Sequence, residues 1–190
     1  MYNRRMNKRI LSGIILATLG LICLGVGMWP FKLVSFEVPV TLGSGQTAIV
    51  SGRLPATAWV EDPFKIDLTF KLTSKVEGTE GHLRTAVEIH NAGVLPSGEV
   101  SLAFDPAAEV NLSWKATPLT SGNLKGTLWV YAGLSSQSEQ AVLARDLKIN
   151  SVDFLGVSAA WYRRIGIGFL AGGLFLILAF STSSRRTIRR

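Results

Sequence analysis

Between Phe64 and Thr73 hydrophobic and polar residues alternate without interruption. Phe64, Ile66, Leu68, Phe70 and Leu72 fall on one side, and Lys65, Asp67, Thr69, Lys71 and Thr73 on the other. A period of two over ten residues predicts a half-buried antiparallel strand. The same parity recurs in Leu83-Thr85-Val87-Ile89, Val100-Leu102-Phe104, Val110-Leu112-Trp114-Ala116 and Leu124-Gly126-Leu128-Val130-Ala132, with less regular strands expected at 31–38, 46–54 and 141–152. Gly43-Ser44-Gly45, Glu61-Asp62-Pro63, Glu77 to Gly81, Asn91-Ala92-Gly93, Pro96-Ser97-Gly98, Asp105-Pro106 and Ser121-Gly122-Asn123 punctuate these runs with turn residues. Seven or eight short strands broken at this spacing predict a β-sandwich, with Leu68, Phe70, Leu102, Phe104, Trp114, Leu128 and Val130 in its core. Ser136-x-x-Glu139 ahead of Val142 and Leu143 also fits a helix capping box, so 137–146 reads as either a hairpin arm or a short helix; the hairpin is favoured.

The pattern changes at both ends. Ile10 to Phe31 and Ile165 to Ser184 are uncharged apolar runs without a period of two, each long enough as a helix to cross a hydrocarbon core. The expected organisation is a tail at 1–9, a membrane helix at 10–29, an extracytoplasmic sandwich at 31–158, a second membrane helix at 159–182 with an interfacial start, and a tail at 183–190. Pro30 would stop the first helix. The fold class is therefore a membrane-anchored all-β protein, an antiparallel sandwich between two transmembrane helices.

Charge sharpens this picture. The chain of 190 residues carries a net charge of +7. Arg4, Arg5, Lys8 and Arg9 precede the first apolar run, and Arg185, Arg186, Arg189 and Arg190 follow the second. The segment between them holds twelve basic and thirteen acidic residues, so the excess belongs to the ends. A nearly neutral central domain argues against a nucleic-acid partner. Basic clusters at both ends place both termini in the cytoplasm and the middle outside, in a plasma membrane. Arg163 and Arg164 conflict with that rule locally and are expected to snorkel to the outer headgroups beside Trp161 and Tyr162, while Trp29 serves the same interface for the first helix.

A signal peptide is the competing reading of the N-terminus, with Gly25-Val26-Gly27 as its cut site. The nineteen residues from Ile10 to Met28 match a full span better than a signal core, so a retained helix is expected. Cys23, the only cysteine, follows Ile22 where a lipidated cysteine would follow a small residue, and reads as an apolar helix residue. The external domain then has no disulfide and must hold by its core. The sequon Asn111-Leu112-Ser113 would matter in a eukaryotic secretory pathway, but the cysteine-free domain reads as a bacterial envelope protein.

Small residues in the apolar runs suggest packing faces. Gly13, Ala17, Gly20, Leu24 and Gly27 follow a 4-3-4-3 spacing, and Gly168-x-x-x-Gly172 continues to Phe175 and Ala179. Such stripes allow close helix contact in lipid, with the same partner or a second copy.

Catalytic patterns are harder to find. Gly133-Leu134-Ser135-Ser136 lacks the closing glycine of a nucleophile elbow, and Gly43-Ser44-Gly45-Gln46-Thr47 lacks the lysine of a phosphate loop. His82, Arg84, Glu88 and His90 share one strand face, but a metal there would need a third ligand from elsewhere. Glu61-Asp62 and Glu77/Glu80 lie in turns, where acids are usually solvated. No cofactor, metal or catalytic residue is assigned.

The stretch Trp114-Lys115-Ala116-Thr117-Pro118-Leu119-Thr120-Ser121-Gly122, followed by the strand from Leu124, resembles the Trp, Thr-Pro, Gly, strand order of bacterial immunoglobulin-like modules of the cell envelope. The resemblance covers about 20 of 190 residues. It implies an immunoglobulin-like sandwich used for contact and names no activity. The expected function is a non-enzymatic membrane protein presenting this domain for protein–protein interaction, such as an accessory subunit. The alternatives are a sensing module that signals through its helix pair and, third, an enzyme.

Overall fold

The structure, a computed structural model, describes residues 8–29, 32–42, 45–73, 80–134 and 139–186; for Arg9 and residues 181–186 it describes the backbone alone. Arg4, Arg5, Arg189 and Arg190 lie outside the described residues, as do Pro30, Glu77 and Ser136. The chain divides into two compact units, Phe31–Asp153 and a second made of Met1–Pro30 with Phe154–Arg190.

Among its described residues the first unit is all β. In chain order its strands are β1 (Leu33–Thr41), β2 (Thr47–Pro55), β3 (Thr57–Trp59), β4 (Phe64–Leu72), β5 (Gly81–Ile89), β6 (Ala92–Leu95), β7 (Glu99–Phe104), β8 (Val110–Pro118), β9 (Gly122–Leu134) and β10 (Gln140–Val152). They form two five-stranded sheets, ordered β1-β2-β4-β8-β6 and β3-β10-β9-β5-β7. Neighbours are antiparallel except β3 and β10, which run parallel.

The alternating residues build one core shared by the two sheets. Ile66, Leu68 and Phe70 of β4 are 1% exposed, and Leu128 and Val130 of β9 are equally enclosed. Phe70 meets Phe104 edge to face, with ring centroids 5.3 Å apart, so an aromatic pair links one sheet to the other. Trp114 is 1% exposed, with its indole N–H lacking a hydrogen-bond partner among the described residues. Of the expected core, only Leu102 is half-buried, packed against the cluster from β7, an edge strand.

Residues 140–152 form a hairpin arm against β9, with a bulge between Ala141 and Leu143. The bulge resets the parity, so that Leu143, Leu147 and Ile149 keep pairing with the inward positions of β9. Two strands lie outside the expected set. β3 has three residues and β6 has four, too few for an alternating pattern to register. Asn91, at φ 60°, makes the turn, after which Ala92 and Gly93 already belong to β6.

The second unit holds two helices, α1 (Lys8–Gly27) and α2 (Ala159–Arg186). Residues 154–158 belong with them and not with the sandwich, because Tyr162 on the first turn of α2 donates its hydroxyl to the Phe154 carbonyl at 3.0 Å. The boundary expected at 158 therefore falls at 153.

Candidate helix interface and interaction surface

The two helices are antiparallel and very close. A Cβ added to Gly13 would lie 2.9 Å from the Gly173 carbonyl oxygen, one on Gly20 2.8 Å from that of Gly166, and one on Gly27 3.1 Å from that of Ala159. Three pairs of small residues thus meet in register, each a seven-residue step from the next along both helices. A strict seven-residue repeat returns to the same face of slightly underwound helices, as in coiled-coil packing. Ala17 also faces α2, its backbone nitrogen 2.5 Å from where a Gly173 Cβ would sit.

The stripe expected on α2 is not the face that meets α1. Around Gly168 and Gly172 there is open space, and both are exposed, as is Ala179. The small residues of α2 that meet α1 are Ala159, Gly166 and Gly173. At 100° per residue, Gly168 lies about 200° around the helix from Gly166, so the two cannot serve one face.

Arg163 also does something other than expected. Its guanidinium donates to the Gly27 carbonyl at 3.2 Å, at the C-terminal end of α1. A cation there satisfies a carbonyl without an intrahelical partner and complements the helix dipole. Arg164 is exposed and lies over the Trp161 ring, 5.6 Å from its centroid. Trp29 and Trp161 are 66% and 54% exposed, and the Tyr162 ring packs edge to face on Phe154. Lys8 starts α1 and is exposed, while Arg185 and Arg186 close α2. Cys23 is a half-buried free thiol.

The outward sides of both helices are apolar. Leu21, Ile22, Ile167, Phe175 and Leu178 are all more than half exposed. The Ser12 and Thr18 hydroxyls turn back onto the carbonyls of Lys8 and Ile14, four residues earlier, which hides their polarity within the helix. Ile10–Gly27 and Ala159–Phe180, 18 and 22 residues, are both long and apolar enough to cross a membrane.

On the sandwich, the outer face of the β3-β10-β9-β5-β7 sheet has two halves. Lys125, Thr127, Glu88, His90, Asp146 and Lys148 line a shallow groove of about 270 Å³. His82, Glu88 and His90 are exposed on this face. Among the described residues no three His, Cys, Asp or Glu side chains gather as a metal site would require, and Lys125 and Lys148 set positive charge beside the groove's carboxylates. Glu61 and Asp62 turn the chain between β3 and β4.

The other half is aromatic. Trp129 and Tyr131, both half-buried on β9, lie nearly parallel with centroids 6.5 Å apart. Trp129 is flanked across the sheet by Ala86 and Ala144, and Tyr131 by Arg84 and Ala141. The Arg84 guanidinium sits 4.4 Å from the Tyr131 ring centroid, donates to Glu99 at 2.9 Å and pairs with Glu139 at 2.9 Å. The hydrogen bond to Glu99 raises the Arg84 pKa above its ordinary value, against a smaller desolvation effect. Two carboxylates and a ring thus hold a permanent cation beside a Trp–Tyr pair, and Trp, Tyr and Arg are the side chains that most often dominate binding energy at protein interfaces. This group was legible only by inversion. The inward parity of Leu124 to Ala132 puts 129 and 131 outside, where polar residues would be ordinary.

No family model matches the chain, and no curated protein matches its sequence. Among solved structures it is similar to the CARDB domain, an immunoglobulin-like domain, of a Pyrococcus furiosus protein solved in complex with di-metal ions, with 14% identity over 63% of this chain and 93% of that one and a TM-score of 0.35. It is also similar to WR4, a Caenorhabditis elegans member of the MSP family, with 12% identity over 52% and 94% of the two chains and a TM-score of 0.33. A Listeria innocua β-glucosidase is similar over 64% of this chain and 16% of its own, with 11% identity and a TM-score of 0.29. Likenesses this distant carry no activity across.

Proposed function

We propose that this chain is a two-pass membrane protein without catalytic activity, which presents an immunoglobulin-like sandwich outside the membrane for contact with a partner protein. The observation that carries the reading is the helix hairpin. Its small residues are spent on mutual contact, and large apolar side chains cover its outside, an arrangement suited to lipid and costly in water. Both spans fit a hydrocarbon core of about 30 Å. Both termini lie in the cytoplasm of a bacterial cell, as the basic clusters at the two ends of the sequence direct. Reporter fusions at Gly45 and at the C-terminus check the placement: the first is expected to behave as external and the second as cytoplasmic, and a cytoplasmic Gly45 reporter would refute it.

For the partner, the reading favours the Trp129, Tyr131 and Arg84 surface. Immobilised residues 31–153 should retain a protein from membrane extract, and replacing Trp129 and Tyr131 by Ser should weaken that retention by about 30-fold or more, the effect of losing one hot spot of 2 kcal/mol. Equal retention by both proteins would move the contact elsewhere. A retained small molecule would favour sensing, and turnover of a substrate would favour an enzyme.

A further inference from the structure

The five residues joining the sandwich to α2 form a built apolar tip. Val157 N–H donates to the Phe154 carbonyl at 3.1 Å, closing a tight turn whose central residues, Leu155 and Gly156, sit at φ 57° and 71°. Positive φ at both positions is the pattern of a type I′ turn, in which glycine is ordinary and leucine is not. The turn holds Leu155 out at 84% exposure beside Phe154 at 53%. It is also fixed to α2: the same Phe154 carbonyl accepts the Tyr162 hydroxyl at 3.0 Å, and the two rings meet edge to face with centroids 6.0 Å apart.

The position of the tip indicates what covers it. It adjoins the first turn of α2, where the apolar span begins, and Ala159 faces Gly27, after which Met28 and Trp29 are 68% and 66% exposed. A span of 22 residues is about 33 Å long, close to the hydrocarbon thickness, so in a membrane this end of the hairpin lies at the boundary between acyl chains and headgroups. Met28, Trp29, Phe154, Leu155 and Trp161 are then exposed apolar side chains that flank the same end of the two spans. Arg164, exposed next to Trp161, adds a cation at the level of lipid phosphates.

We propose that the Phe154–Leu155 turn is a lipid-binding element, which enters the headgroup and acyl boundary of a phospholipid leaflet and fixes the depth of α2. The inference rests on the membrane-spanning reading of the helices, and its test separates the two. In the full chain carrying Cys23→Ala, a spin label is placed at Leu155→Cys or, separately, at Leu174→Cys. Each protein is reconstituted in vesicles of phosphatidylcholine and phosphatidylglycerol. Collision rates with oxygen, which concentrates in lipid, and with a water-soluble nickel chelate are then compared. The expected result is oxygen dominating at both positions, more strongly at 174. Nickel dominating at 155 while oxygen dominates at 174 would overturn the lipid-binding turn and leave the spanning helices standing. Nickel dominating at both would overturn the two readings together.

Discussion

Enlarging Gly20 and Gly173 to Leu is expected to separate the two helices, whereas the same change at Gly168 and Gly172 should leave them paired. A side chain on Gly20 would start 2.6 Å from the Leu170 backbone nitrogen, and one on Gly173 would start 2.6 Å from the Gly13 carbonyl oxygen. Those are backbone atoms of a helix, which cannot rotate away as a flexible side chain would. Overpacking typically costs about 1–3 kcal/mol even where neighbours can yield, so two such sites in one contact should remove most of the pairing. Around Gly168 and Gly172 there is only open space, and leucine there would add apolar surface to an apolar exterior. Spin labels at Leu21 and Ile167, both on exposed sides of the helices, measure the outcome in detergent or lipid. A longer, broader distance distribution is expected for the Gly20/Gly173 variant, and an unchanged one for Gly168/Gly172. An unchanged distance in the first variant would mean that close backbone approach does not hold the pair.

The second large effect is expected at Trp114. Truncation to Ala inside a core where the ring is 1% exposed should destabilise residues 31–153 by about 3–5 kcal/mol. For a domain of this size that lowers the melting temperature on the order of 10–20 °C. Trp114→Phe should cost much less than its loss of volume suggests, because it also removes an indole N–H that has no partner among the described residues. Thermal unfolding by circular dichroism distinguishes the two. A loss for Phe larger than its missing volume accounts for would show that the N–H contributes stability through a bond, contrary to the buried geometry.

What was legible in the sequence followed from periodicity. The strand from Phe64 to Leu72 announces itself because one face is core and the other solvent, so nine residues carry a clean alternation. β3 and β6 are too short to carry one, at three and four residues, and show only through their pairing to neighbours that were readable. The face of α2 that meets α1 was hidden for a different reason. Four glycines at 166, 168, 172 and 173 offer more than one stripe, and a four-residue spacing between two glycines draws attention first. The deciding information lay in α1, where Gly13, Gly20 and Gly27 recur every seven residues. A close partner must answer with the same step, and only Ala159, Gly166 and Gly173 do so. Arg163 could not be read locally at all, since its acceptor, Gly27, is 136 positions away in the chain.

The matched seven-residue steps also restrict motion. The small residues act as detents: sliding one helix along the other by three or four residues would press a larger side chain against backbone that now faces glycine. The next position at which small residues again oppose one another is a whole heptad away, about 10.5 Å at 1.5 Å per residue, with one of the three pairs lost. A hairpin of this kind resists graded piston displacement and moves as a rigid peg. Any message carried through it would have to be a tilt or a rotation of the pair as one body.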